Sequence, residues 1–181
     1  MKGIVFTEFI DMVEEEHSLD MVDAIIEDSE LAHGGAYTAV GTYDPTEMGA
    51  LVGALARRSG TKAPDLLHAF GRRTTRRFAE MFPRFFVGHH DVLSFLESID
   101  SVIHVEVLKL YPDAELPRLE TERLNGGILR LTYHSPRCMA DFAEGLIEGA
   151  AAHFGDALAL TRSQPRGAPS PIVVFTVARG A

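Results

Sequence analysis

The chain has 181 residues, 46% of them hydrophobic, and its formal net charge is -9 at pH 7. These values fit one folded domain and disfavour nucleic-acid binding, because phosphate recognition needs a net basic surface. No apolar run approaches the ~18 residues of a membrane span, and no secretion signal is recognised at the N-terminus. Cys138 is the only cysteine, so no internal disulfide can form. We therefore expect a cytoplasmic protein.

Helical spacing of apolar residues predominates over residues 1–112. The predicted helices are bounded by capping residues or prolines at their starts and by glycine or proline at their ends. These boundary residues are Ser18, Asp44, Pro45, Gly60, Pro64, Pro83, Asp91 and Pro112. The last predicted helix is long and follows Asp91 without interruption.

The spacing changes in the C-terminal third, where apolar and polar residues alternate. The predicted order is strand, strand, helix, strand, strand, over residues 118–124, 127–134, 138–153, 156–163 and 171–178. Asn125-Gly126 is a favoured two-residue hairpin turn between the first two strands. The fold class that we expect is α+β, with a helical N-terminal lobe packed on a C-terminal lobe of strands and helices.

The segment Tyr133-His134-Ser135-Pro136-Arg137 is a candidate ligand site. Alternate residues of an extended segment point the same way, so Tyr133, Ser135 and Arg137 would present two hydroxyls and a guanidinium together. That set suits a carboxylate, because the arginine fork donates two hydrogen bonds and each hydroxyl adds one. An ordinary strand end with a surface arginine explains the same residues, and the spacing alone does not decide.

His104 lies inside the predicted long helix. A buried helical imidazole can ligate iron through one ring nitrogen. The alternative is a core or surface histidine that is satisfied by hydrogen bonds. The residues one turn before and after His104 are mixed in polarity, so periodicity does not show that it is buried.

Several short segments occur in one order along the chain. They are Met1-Lys2-Gly3, Phe78-Ala79-Glu80-Met81-Phe82-Pro83, Leu110-Tyr111-Pro112-Asp113-Ala114, Leu116-Pro117-Arg118, Tyr133-x-Ser135-x-Arg137 and Gly145-Leu146-Ile147-Glu148-Gly149. With these segments the chain resembles, over nearly its whole length, the H-NOX family, the haem domain of bacterial nitric-oxide sensors and of soluble guanylate cyclase. That fold has a helical lobe and a lobe with a four-stranded antiparallel sheet, in agreement with the pattern above.

The resemblance implies that haem b, iron protoporphyrin IX, binds between two subdomains. The distal helical subdomain would cover residues 1–63 and the proximal α+β subdomain residues 64–181. His104 matches the axial iron ligand of the family, and Pro117 matches a proline that presses on the porphyrin and distorts it. The motif that holds the haem propionates is matched by Tyr133, Ser135 and Arg137.

The resemblance also implies a distal pocket and a ligand preference. The matching residues are Val5, Phe9, Thr74, Phe78, Phe142 and Leu146. Oxygen-binding members have a tyrosine where this chain has Phe142, and bound dioxygen needs such a donor more than bound NO does. NO, and also CO, are therefore the expected ligands, without stable O2 binding. The Thr74 hydroxyl could reach a ligand, or it could bond to the carbonyl four residues earlier.

The function implied is a switch without catalysis. NO binding to ferrous haem would release His104 and shift the subdomains, and a separate protein, such as a histidine kinase or a cyclic-di-GMP enzyme, would read the shift. One alternative is a haem-free interaction module of the same fold. Another is an enzyme, although no paired-carboxylate motif, phosphate loop or nucleophile elbow is found.

Overall fold

The computed structural model describes residues 1–124 and 127–180. The elements are α1 (Gly3–Glu16), α2 (Leu19–Glu27), α3 (Pro45–Ser59), α4 (Ala63–Met81), a 3-10 turn (Pro83–Phe85), α5 (Val92–Ser98), a π turn (Ile99–Ile103), α6 (His104–Leu110), β1 (Arg118–Leu124), β2 (Ile128–His134), α7 (Ala140–Phe154), β3 (Leu158–Arg162) and β4 (Ile172–Arg179). The predicted Asn125-Gly126 turn lies outside the described residues. Within these ranges no helix has the length and apolar character needed to cross a membrane.

The helix boundaries are set by the local signals that the sequence contains. The Ser18 hydroxyl accepts the Met21 N–H at 3.1 Å, which caps α2. The Asp44 carboxylate accepts the Thr46 N–H at 2.8 Å, which caps α3. Gly60 ends α3 with a φ of 75°, a backbone conformation that glycine adopts without steric penalty. These predicted boundaries are confirmed.

The predicted long helix after Asp91 is not uniform. It starts as α5, widens into the π turn over Ile99–Ile103 and continues as α6 from His104. In the π turn the His104 N–H bonds to the Ile99 carbonyl, five residues back. Such turns are rare within helices and are frequent at functional sites. The turn corrects the expectation of one regular helix, and it lies directly before His104.

The sheet has the strand order β1-β2-β4-β3, and every neighbouring pair is antiparallel. Alternate residues of the two central strands are buried against α7. On β2 and β4 these buried residues are Leu129, Leu131, Tyr133, Val173, Phe175 and Val177. The α+β class with a four-stranded antiparallel sheet is therefore confirmed.

Two hydrophobic clusters form the interior. One draws on α1 to α3 and includes Phe6 and Leu51, while the other joins α5, α7 and the sheet. Helix α4 contributes to both, because Phe70 lies in the first cluster and Phe78 packs against the second. The boundary that we predicted at residue 63 falls at the start of this shared helix.

Helices α4 and α7 approach each other closely at glycines. A β-carbon added to Gly71 would lie 2.2 Å from the Phe142 carbonyl oxygen, and one added to Gly145 would lie 2.1 Å from the His68 carbonyl oxygen. Contacts advance along both helices in the same direction, so the helices run parallel. The absence of side chains at these glycines therefore allows the two backbones to touch.

Gly145→Ala should lower the free energy of unfolding by about 1–3 kcal/mol, because the new methyl group overpacks against the α4 backbone. Urea unfolding followed by circular dichroism measures the change. Gly49→Ala is the matched control, since no atom lies within 4 Å of its added β-carbon and alanine favours the helix. Equal stability of the two variants would contradict the close contact.

Candidate functional site

A cavity of about 490 Å³ lies between the helices and the sheet. That volume is in the range of small-molecule and cofactor sites. Its walls come from α1, α4, the segment from α5 through α6, the sheet and α7, and they are largely apolar. The aromatic side chains on its walls include Phe78, Phe82, Phe85, Phe86, Phe95 and Tyr133. Such a cavity suits a large apolar group.

His104, the first residue of α6, is on the cavity wall, and its side chain is 15% exposed. Its Nδ1 lies 3.1 Å from Oδ1 of Asp100. A carboxylate accepts hydrogen bonds, so the ring donates from Nδ1–H and the lone pair stays on Nε2. Burial lowers the pKa of His104, an effect that the Asp100 carboxylate opposes, so the ring is neutral near pH 7. A neutral imidazole is the form that ligates metals.

The predicted carboxylate motif lies at the end of β2. Tyr133 is buried and lines the cavity, and burial raises the pKa of its hydroxyl. The Ser135 hydroxyl, also buried, accepts the Arg137 N–H at 3.3 Å. Ser135 and Arg137 are not among the residues that line the cavity, and they follow directly from the strand that does.

The Arg137 guanidinium is only partly satisfied. Its Nη2 donates to the Glu115 carbonyl at 2.7 Å and lies 3.2 Å from the Glu115 carboxylate. Its Nε is buried and has no hydrogen-bond partner among the described residues. A buried donor without a partner is unfavourable, so an acceptor is expected there when the site is filled. A carboxylate would supply one.

Three of the six residues predicted for the distal pocket line the cavity. They are Val5 on α1, Phe78 on α4 and Leu146 on α7. Pro117, in the segment between α6 and β1, also lines the cavity. Contact of Pro117 with a porphyrin stays a prediction.

Phe9, Thr74 and Phe142 are not among the residues that line the cavity, and their place in the distal pocket stays a prediction. All three surround Phe70, with ring centroid distances of 5.2 Å for Phe9 and 4.9 Å for Phe142. The Thr74 hydroxyl donates to the Phe70 carbonyl at 2.8 Å, the alternative foreseen from the sequence. Phe9 belongs to the N-terminal cluster, and Phe142 packs against it.

Two polar residues were missed from the sequence. Thr75 lines the cavity, and its hydroxyl donates to the Leu146 carbonyl at 3.0 Å across the α4–α7 contact. Asp100 is the hydrogen-bond partner of His104. The signal for Asp100 was its position four residues before His104, because helical residues at that spacing are neighbours.

The rim of the cavity joins the N-terminal segment to the end of α6. The Lys2 ammonium donates to the Thr42 hydroxyl at 2.8 Å, and it lies 4.5 Å from the centre of the Tyr111 ring and 3.7 Å from the Asp113 carboxylate. The Thr42 hydroxyl donates to the same carboxylate at 2.7 Å. Residues of both lobes therefore meet beside the cavity.

Fold and cavity together define a class, a two-lobed α+β protein whose cavity suits haem. The described residues fit that group in three respects: the walls are apolar, His104 keeps a free ring nitrogen, and the Arg137 Nε lacks an acceptor. Porphyrin, iron and propionate would meet these three features in turn.

Comparison with known proteins identifies the family. The family model described as Haem-NO-binding matches residues 2–162, so the chain belongs to this family, whose members are the H-NOX haem-binding gas-sensor domains. These domains are sensors and not enzymes. No curated protein sequence matched the chain.

Solved H-NOX structures share the whole fold. The Fe(II) unliganded protein from K. algicida is 35% identical, with a TM-score of 0.93 over 100% of this chain and 97% of that chain. The H-NOX from Shewanella woodyi in the Fe(II)CO state is 37% identical, with a TM-score of 0.84 over 99% of this chain and 95% of that one. The S. oneidensis protein in the Fe(II)NO state is 26% identical, with a TM-score of 0.91 over 100% of both chains.

Proposed function

We propose that the chain is a haem-based sensor in which ferrous haem b fills the cavity, His104 ligates the iron and NO is the signalling ligand. The observation that carries the proposal is the free Nε2 of a neutral, buried His104 on the wall of an apolar cavity. Relatives in Fe(II)NO and Fe(II)CO states support the choice of ligand. The haem would supply the iron that binds the gas.

The chain's own residues would hold the haem in a fixed orientation. Tyr133, Ser135 and Arg137 would bind the propionates, and the unpartnered Arg137 Nε supports this role. Pro117 would pack against the porphyrin on the side of His104. These contacts would set both the depth and the rotation of the haem in the cavity.

The wall contributed by α1, α4 and α7 would select the gas. Val5, Phe78 and Leu146 are apolar, and the Thr75 hydroxyl is already committed to the Leu146 carbonyl. Bound dioxygen needs a hydrogen-bond donor, whereas bound NO needs none. This wall therefore favours NO and CO over stable O2 binding.

Signalling would follow from the loss of one bond. If gas binding released His104, α6 would lose its tie to the haem, and the distal subdomain (1–63) and the proximal subdomain (64–181) could change their relative position. The coupling free energy is the difference in contacts between the two arrangements. We propose that a separate cytoplasmic protein, such as a histidine kinase or a cyclic-di-GMP enzyme, reads this change.

Absorption spectra test the proposal directly. The purified ferrous protein should show a Soret band that shifts with NO and with CO but forms no oxy complex in air. His104→Ala should lose haem, and added free imidazole should restore haem binding. His90→Ala changes a histidine at an exposed position and should match the wild type. A wild-type protein that stays colourless after reconstitution with haemin would favour the haem-free interaction module instead.

Arg137→Ala should speed haem transfer to apomyoglobin, because the propionates lose a charged, forked donor. Arg137→Lys keeps the charge without the fork and should fall between this variant and the wild type. Arg130→Ala removes the same charge from an exposed position on β2 and serves as the control. Equal haem-transfer rates in Arg137→Ala and Arg130→Ala would contradict the proposal that Arg137 binds the propionates.

Leu146→Gln should raise oxygen affinity, because it places an amide donor on the wall of the cavity that His104 also lines. Phe142→Tyr adds its hydroxyl at a residue that packs on Phe70 and is not among those lining the cavity, so its gain should be smaller. Spectra of the ferrous variants in air measure both. An oxy spectrum that is stronger in Phe142→Tyr than in Leu146→Gln would show that residue 142 faces the gas.

A further inference from the structure

Asp100 connects the candidate iron ligand to the sheet. It lies in the π turn, and its side chain is 43% exposed. Its Oδ1 accepts a hydrogen bond from His104 Nδ1 at 3.1 Å and another from the Leu119 N–H at 3.3 Å. One carboxylate oxygen therefore links α6 to β1.

The second of these bonds fixes where the carboxylate can lie. Leu119 belongs to β1 and pairs with Tyr133 of β2, the first residue of the propionate motif. An exposed carboxylate with a single helical partner would change rotamers freely, and the backbone donor from a neighbouring strand limits that freedom. The His104 ring is therefore oriented from the sheet as well as from its own helix.

A carboxylate on the far nitrogen of a ligating histidine has two effects. It keeps the proton on Nδ1, so the metal meets Nε2, and it makes Nε2 a stronger donor to the metal. The carboxylate has both effects without touching the metal. Both would oppose the departure of His104 from iron.

We propose that Asp100 is a positioning residue that fixes the His104 tautomer and ring orientation and sets how readily His104 leaves the iron. This inference rests on the proposed role of His104 as the iron ligand. In this arrangement the strength of the gas response depends on a residue that touches neither haem nor gas. An ordinary ion pair within a helix has no second partner, whereas the Asp100 carboxylate also accepts the Leu119 N–H of β1.

The experiment compares Asp100→Ala and Asp100→Asn with the wild type. Asparagine keeps an acceptor of the same size without the charge, and alanine removes both. Glu106→Gln is the matched control, because Glu106 is a partly exposed residue of α6 that pairs with Lys109, and residues two apart on a helix do not face each other. Melting temperatures identify any variant that fails to fold, and the half-exposed position of Asp100 makes Asp100→Asn tolerable.

The first readout needs no haem. Nitrogen-15 NMR of the apo-protein should show a single His104 tautomer, protonated at Nδ1, in the wild type and in Glu106→Gln. Asp100→Ala should show a mixture of both tautomers. If Asp100→Ala keeps the pure Nδ1–H tautomer, the positioning role is wrong, whatever the protein binds.

The second readout uses the ferrous protein reconstituted with haemin. The iron–histidine stretching frequency from resonance Raman should fall in the order wild type, Asp100→Asn, Asp100→Ala. Haem transfer from Asp100→Ala to apomyoglobin should be about 10-fold faster. Unchanged frequency and transfer would overturn the inference while the proposed function stands. If the wild type binds no haem, the proposed function fails, and the NMR result still decides the positioning role.

Discussion

The hydrogen bond between His104 Nδ1 and Asp100 determines which ring nitrogen is free, and the proposed haem site depends on that nitrogen. Burial lowers the pKa of His104, which keeps the ring uncharged, while the apolar cavity offers few competing partners. A single nitrogen lone pair in a largely apolar space is a weak site for a bare ion. It becomes a strong site for a metal that arrives inside a large apolar ring, because burial of that ring supplies the remaining free energy.

The shape of the cavity depends on a second constraint, the glycine contact between α4 and α7. With backbone against backbone at Gly71 and Gly145, side chains of these helices can be accommodated only on either side of the contact. Phe142 lies on one side, with Phe70, and Leu146 and Phe78 line the cavity on the other. The same contact that holds the helices together therefore separates the packed N-terminal cluster from the open volume.

Much of the fold could be predicted because its signals are local. Caps such as Ser18 and Asp44 and the alternation along β2 act within a few residues. The π turn could not be predicted, because tertiary packing selects it over a regular helix. The resemblance supplied His104 and the propionate motif. The environment of Phe142 could not be derived from local signals, because it depends on a contact between helices that are some 70 residues apart in sequence.

The proposed signalling requires two arrangements of the lobes that differ little in free energy. The rim contacts are compatible with this requirement, since the Lys2 ammonium lies 3.7 Å from the carboxylate of the exposed Asp113, where solvent weakens the attraction. Couplings between sites are about 1–3 kcal/mol, so under the proposal the loss of one iron–histidine bond would be enough to shift the balance. The α4–α7 contact is different, because its backbones cannot separate without losing tight packing. Helix α4 contributes to both clusters, so in the proposed mechanism it would connect a local change at His104 to the N-terminal cluster.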